Sequence, residues 1–300
     1  MSKVWTFFEK FCVDRPKKIC KCQRMMKDMT TNKTLHNNSN TINPFLSDYS
    51  VQNWNRIEAE LDRALRKSSG PHYAAFDADG TLWDFDLGEV FFHWQIKNCG
   101  LPLPAKPWEH YLEMKKINND PRQAFVWLAA INKGKQISQV RYWAKKCVEE
   151  NSPLPIFKGQ KKLIELLQTK GVEVFVVTAS VGWAVEPGAE IFGIKKENVL
   201  GVHTLVEQDL VTDTPPEIVT WKAGKAKALL TATKGVRPVL SCGNTMGDLD
   251  LIDSSMGVKI AVRANGEGSD LFETENQLHQ IGLNNNWVVQ EWKNLSQQSF

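Results

Sequence analysis

From Tyr73 onward, short apolar runs alternate with stretches of helical period, and this alternation constrains the fold most. YAAF (73–76) is apolar throughout, and VEVFVV (172–177), VLSC (239–242) and GVKIAV (257–262) are each interrupted by one polar residue only, rather than alternating. Strands that read this way are buried on both faces. Between them lie helical stretches such as FKGQKKLIELLQTKG (157–171), closed by Gly171, WKAGKAKALLTATKG (221–235) and GDLDLIDS (247–254). Strand–helix alternation means a parallel sheet wound with helices on both faces. The predicted class is therefore α/β with a doubly wound parallel sheet. In such sheets ligands sit beyond the carboxyl ends of the strands, at the point where strand order reverses. The residues that end each strand then carry the functional reading.

Residues 88–156 interrupt the alternation. They show no strand pattern and read as several helices with breaks at GLPLPAKP, NNDP and NSPLP. They are expected to form a helical insert between two parts of a core, 51–87 and 157–300. A helix is expected over 53–70, with Ile57, Leu61 and Leu65 on one face and Gly70-Pro71 as its stop. A further helix is expected around 184–192, a strand in NVLGVHTLV (198–206), and a turn near Gln208-Asp209. GVKIAV is expected to be the last strand. Residues 1–50 differ in composition: a short aromatic start, a basic stretch from Arg15 to Lys27, then polar sequence rich in Asn and Thr. Such a segment cannot bury enough surface to offset chain entropy, and a disordered basic and polar tail is expected.

Composition excludes several classes. A net charge of +3 on 300 residues argues against a nucleic-acid or anionic-membrane partner. No apolar run reaches the roughly 18–20 residues of a membrane span. Cys20 and Cys22, with Cys12 upstream, lack zinc spacing. Cys99, Cys147 and Cys242 are isolated in apolar or helical surroundings and read as buried free thiols. No secretory apolar region opens the chain, so a cytoplasmic protein is expected.

The strand ends gather chemistry. YAAF ends in Asp77-Ala-Asp79-Gly-Thr81, VEVFVV in Thr178-Ala-Ser180, and VLSC in Gly243-Asn244-Thr-Met-Gly-Asp248. A helix opens near Lys222 and Gly224-Lys225. Carboxylates, a hydroxyl and a lysine converging on one crevice suit a phosphate bound with a divalent cation. Asp77 and Asp79 stand two residues apart where the strand ends. A turn permitted by Gly80 can bring them to one site.

In this order, FDADGTLWD, VVTAS, GKAKAL and GNTMGD resemble the four motifs of the haloacid dehalogenase-like phosphohydrolases, over roughly residues 72–290. The resemblance implies that Asp77 is the nucleophile, forming an aspartyl-phosphate, and that Asp79 is the acid/base. It implies that Thr178 and Lys225 bind phosphate, with Lys222 as the alternative lysine. It implies Mg²⁺ held by Asp77, Asp79 through its carbonyl, Asn244 and Asp248. The family's fourth motif usually begins Gly-Asp; Asn244 offers a neutral oxygen, which weakens a cation site without abolishing it. The helical insert would be a cap over the substrate. DFDLGEVFF (84–92) resembles the phosphoserine and phosphorylcholine phosphatase branch, where an acid nine residues past the nucleophile, here Asp86, faces the substrate amine. Trp83, Trp94, Trp108, Trp127, Trp143 and Trp183 lie in or beside the cap, as its packing or as a cage for a quaternary ammonium. The expected partner is thus a small phosphomonoester, with a phosphotransferase or a non-catalytic effector as alternatives.

Overall fold

In β1 (His72–Phe76), Ala74 and Phe76 bury in one apolar cluster and Ala75 in another. Side chains alternate across a strand, so a run that is apolar at every position needs cover on both faces. The computed structural model, which describes residues 48–67 and 69–292, supplies that cover. Six strands form one sheet in the order β3-β2-β1-β6-β7-β8, parallel throughout. They are β1, β2 (Val172–Val181), β3 (Val199–Val202), β6 (Leu240–Gly243), β7 (Val258–Arg263) and β8 (Val288–Glu291).

On one face pack α1 (Val51–Arg66), through Ile57, Leu61 and Ala64, and α6 (Lys158–Thr169), through Leu163, Ile164 and Leu167. Both burial patterns follow the helical period. Ser50 caps α1 by accepting the Asn53 N–H at 3.1 Å. On the other face, Leu229 of α8 (Ala223–Ala232) and Leu251 of α9 (Leu249–Asp253) meet Phe175 and Val177. Leu278 of α10 (Phe272–Asn284) packs with Ala261 and Trp287. The doubly wound sheet expected from the alternation is the observed one. GVKIAV is not the last strand, however: α10 and β8 follow it.

Four helices stand between β1 and α6: α2 (Leu87–Asn98), α3 (Pro107–Met114), α4 (Arg122–Ala130) and α5 (Ile137–Glu150). They enclose an apolar cluster of their own, built on Phe91, Phe92, Tyr111, Leu128, Val140 and Cys147. Val181, Trp183 and Ala184 join it from the end of β2 and from α7 (Gly182–Glu190). Gln208 and Asp209 both have positive φ and turn a two-stranded hairpin, β4 (Val206–Glu207) with β5 (Leu210–Val211). That hairpin bonds the helical block through Gly134 N–H to Val211 O at 2.8 Å and Ile137 N–H to Asp209 O at 2.9 Å.

Residues 48–50 stood with the polar tail in the sequence reading. The structure puts Tyr49 in the core, edge-on to Trp292 at 5.0 Å, with its hydroxyl donating to Gln160 at 3.0 Å. The rest of the expected tail, with Cys12, Cys20 and Cys22, lies outside the described residues. No helix among the described residues is long and apolar enough to cross a membrane. Strand order reverses beside β1: the chain moves to β2 on one side and later to β6 on the other. The crevice of interest lies beyond the carboxyl end of β1.

Candidate active site

Asp77 follows β1 directly and is 6% exposed. Its N–H donates to Cys242 O at 2.9 Å, which continues the β1–β6 ladder by one residue. Lys225, 4% exposed on α8, donates to Asp77 Oδ1 at 2.6 Å and to Asp248 Oδ1 at 2.5 Å. Asp248 is fully buried, and its Oδ2 accepts the N–H groups of Asn244 and Thr245 and the Thr245 hydroxyl. These bonds form a capping box around the turn Met246–Asp248, which fixes the carboxylate toward Lys225.

Burial pushes the Asp77 carboxyl up to about 7, reinforced by the Asp248 charge and opposed by Lys225. Burial alone would push Lys225 down; the carboxylates of Asp248 and Asp77 outweigh it and hold the ammonium charged. The crevice therefore keeps a fixed cation beside a carboxyl.

Asp79, beyond the end of β1, has a different set of partners and is half-buried. Its Oδ1 accepts Trp83 Nε1–H at 2.7 Å and Leu87 N–H at 2.8 Å, and its Oδ2 accepts the Ser180 hydroxyl at 2.6 Å. Burial raises its carboxyl above the ordinary value, against the pull of those three donors. A carboxyl raised in this way can deliver a proton and take it back. Gly80 makes the turn with φ +76°, and a Cβ there would stand 2.2 Å from Asn244 Nδ2, so only glycine fits.

Thr178 is buried in β2, two residues beyond the level of Phe76, and its Oγ1 accepts the Ser180 N–H at 3.0 Å. Of the two candidate lysines, the structure brings Lys225 to Asp77; Lys222 is exposed, with its ammonium 4.5 Å from the Trp221 ring centre. Asp86 is half-buried at the N-cap of α2 and accepts the Glu89 N–H at 2.7 Å. Burial, then the charges of Asp79 and Glu89, push its carboxyl up, so the three acids lie within electrostatic reach of one another.

Five of the six tryptophans, Trp94, Trp108, Trp127, Trp143 and Trp183, belong to the apolar cluster of the helical block, and Trp83 stands apart. Trp83 is wholly buried in the main core and Trp94 donates to Glu150. Trp108 is half-buried, 4.2 Å from the His93 ring and 5.5 Å from the Tyr111 ring. Beside them Lys115 stands 5.1 Å over the Tyr111 ring and 3.2 Å from Glu89 Oε1, so this acidic and aromatic corner already holds one ammonium.

Four residues position the site in roles the sequence did not assign them. Thr81 stood within the first motif and Ser180 two residues past Thr178 on the same strand, so spacing could have found both. Trp83, expected as cap packing or part of an ammonium cage, instead donates its indole N–H to Asp79. Glu275, on α10, carried no signal at all.

The expected Mg²⁺ ligands can be tested on the donor set. Among the described residues no group of three or more His, Cys, Asp or Glu is arranged as a cation cage. The Thr81 hydroxyl, however, lies 3.3 Å from both Asp77 Oδ2 and Asn244 Oδ1. One hydroxyl proton faces two acceptor oxygens, so acceptor capacity is left over between them. Hard oxygen donors with unmet acceptor capacity fit a divalent cation such as Mg²⁺.

The haloacid dehalogenase-like hydrolase family model matches residues 74–253, which contain all of these strand ends. A phosphorylcholine phosphatase of Pseudomonas aeruginosa is 23% identical, over 58% of this chain and 68% of that protein. A Bordetella pertussis protein described as of unknown function shares the fold with a TM-score of 0.56 at 16% identity, covering 75% of this chain and 100% of its own. An Anaerococcus prevotii protein, also described as functionally unknown, gives 0.58 at 10% identity, covering 78% of this chain and 91% of its own. With the family model spanning β1 to α9 and the acids, hydroxyl and lysine it expects at the strand ends, this chain belongs to the haloacid dehalogenase-like hydrolase family and is an enzyme of that class.

Proposed function

We propose that the chain is a Mg²⁺-dependent phosphomonoester hydrolase that works through an aspartyl-phosphate on Asp77. The observation that carries this reading is the buried Asp77 carboxyl held 2.6 Å from Lys225, with Asp79 braced by three donors close by. Asp77 Oδ attacks phosphorus while the bond from phosphorus to the leaving oxygen breaks, and Asp79 gives that oxygen its proton. Asp79 then takes a proton from water, the water oxygen bonds to phosphorus, and the aspartyl oxygen leaves, releasing inorganic phosphate. Lys225 and the Thr178 hydroxyl orient the phosphate oxygens. Asp77, the Asp79 carbonyl, Asn244 and Asp248 would hold the Mg²⁺, which when bound neutralises phosphate charge.

Helices α2–α5, with the expected insert at 88–156, would act as the cap that excludes water. A substrate with an amine or ammonium is supported by the half-buried carboxyl of Asp86 within electrostatic reach of Asp79, and by the likeness to the Pseudomonas phosphorylcholine phosphatase. The test is phosphate release from a panel of small phosphomonoesters with and without Mg²⁺. Release that needs Mg²⁺ and favours amine-bearing esters supports the reading; no release from any ester, or full release in excess chelator, overturns it.

A further inference from the structure

The cation site contains an amide where its family usually has a carboxylate, and behind that amide lies a buried acid. Glu275 is fully buried on α10. Its Oε1 accepts Asn244 Nδ2–H at 2.9 Å and Asn265 Nδ2–H at 2.7 Å, and its Oε2 accepts the N–H groups of Ala264 and Asn265. All four partners are neutral donors. A buried carboxylate held by neutral dipoles alone is an expensive arrangement unless a positive charge stands nearby.

The amide between them settles where that charge would be. A carboxylate can only accept, so Asn244 must turn its NH₂ to Glu275 and its Oδ1 to the Thr81 hydroxyl, which also lies 3.3 Å from Asp77 Oδ2. Gly80 leaves the amide its space. Donation to a carboxylate also makes the amide oxygen more negative.

We infer that Glu275 is a positioning residue for the cation site: it locks the Asn244 oxygen toward Asp77 and supplies, one residue behind, the negative charge that Asn244 lacks. The inference rests on the reading of the crevice as a Mg²⁺ site. Asn244 and Glu275 then form a matched pair. With Asn244→Asp alone, two carboxylate oxygens would face each other at the 2.9 Å now spanned by a hydrogen bond. With Asn244→Asp and Glu275→Gln together, the amide moves to position 275 and the bond re-forms with reversed polarity. The Asn265 oxygen accepts the Ser269 hydroxyl, a group that can also accept, so this bond can form with the Asn265 amide turned either way.

The test is Mg²⁺ binding by calorimetry to chelator-treated wild type, Glu275→Gln, Asn244→Asp and the double variant, with melting curves as a check on folding. Glu275→Gln should bind Mg²⁺ about tenfold more weakly, the usual scale for such supporting partners. Asn244→Asp, despite its added ligand charge, should bind no tighter than wild type, and the double variant should bind at least as tightly as wild type. Because the double variant restores the pair, the inference stays testable even if Glu275→Gln alone fails to fold. Equal Mg²⁺ affinity in wild type and Glu275→Gln would overturn the inference while leaving the cation reading intact. So would Asn244→Asp binding tighter than wild type whichever residue stands at 275. Wild type that takes up no Mg²⁺ would sink the cation reading, and this inference with it.

Discussion

Replacing Lys225 by Met removes the one cation that bridges Asp77 and Asp248 while keeping most of the side-chain volume. The ammonium is 4% exposed and lies 2.6 Å and 2.5 Å from the two carboxylates, so solvent cannot take its place. Breaking a buried pair by removing one partner costs about 3–5 kcal/mol, since the other charge stays buried and uncompensated. The direction with pH follows from Asp77. Its carboxyl already stands at about 7 with Lys225 present, and rises further without it. A carboxyl raised in the folded state is penalised only where the unfolded chain has lost its proton. The penalty is absent below an unfolded pKa of about 4 and grows as pH rises through the folded value. Urea unfolding of metal-free protein should therefore show a small loss for Lys225→Met near about pH 4.5 and a larger one that grows as pH rises above about 7, compared at about pH 8.5. Adding Asp248→Asn removes one orphaned charge and should return about half of the loss. A loss below about 1 kcal/mol at the higher pH, or the same loss at both, would refute the reasoning.

Gly80→Ala should destabilise by roughly 2–4 kcal/mol, since the position has φ +76° and a Cβ would strike Asn244; a melting curve like that of wild type would contradict this. Asp86→Asn keeps a good helix cap, so the fold should hold. It should lower kcat/KM for amine-bearing phosphomonoesters roughly tenfold to a hundredfold more than for a neutral aryl phosphate, and equal losses would assign Asp86 to capping alone. Burial pushes the thiols of Cys99 and Cys147 up to about 11 and about 12. With Cys12, Cys20 and Cys22 replaced by Ser, folded protein should react with a thiol reagent about a hundredfold more slowly than urea-unfolded protein; equal rates would show that these thiols are open.

The strands that frame the crevice were legible because a doubly covered strand is almost continuously apolar, and VEVFVV and GVKIAV are each interrupted by one charge only, Glu173 and Lys259. Their ends were legible because Asp77 interrupts apolar sequence with charge and Gly243-Asn244 breaks the run after VLSC. α10 was not, for a physical reason: besides Leu278 and Gly282, its buried side chains are Glu275 and His279, so burial leaves no apolar stripe to read. β8, as VVQE after three asparagines and a tryptophan, is too short and too mixed to stand out. Glu275 needed the fold, because its link to Asn244 spans 31 residues. The choice of Lys225 over Lys222 also needed it, since three residues on a helix turn decide which ammonium is buried and which lies on Trp221. Tyr49 shows the reverse error: polar neighbours hid one buried ring.

The central claim is that Asp77 carries the phosphoryl group. The direct measurement is borohydride reduction of enzyme quenched during turnover of an aryl phosphate with Mg²⁺, followed by peptide mass spectrometry. An acyl phosphate on Asp77 would be reduced to the corresponding alcohol, a mass change confined to the peptide containing residues 73–86 and absent from Asp77→Asn. Steady phosphate release with that peptide unchanged, or undiminished turnover by Asp77→Asn, would contradict the account.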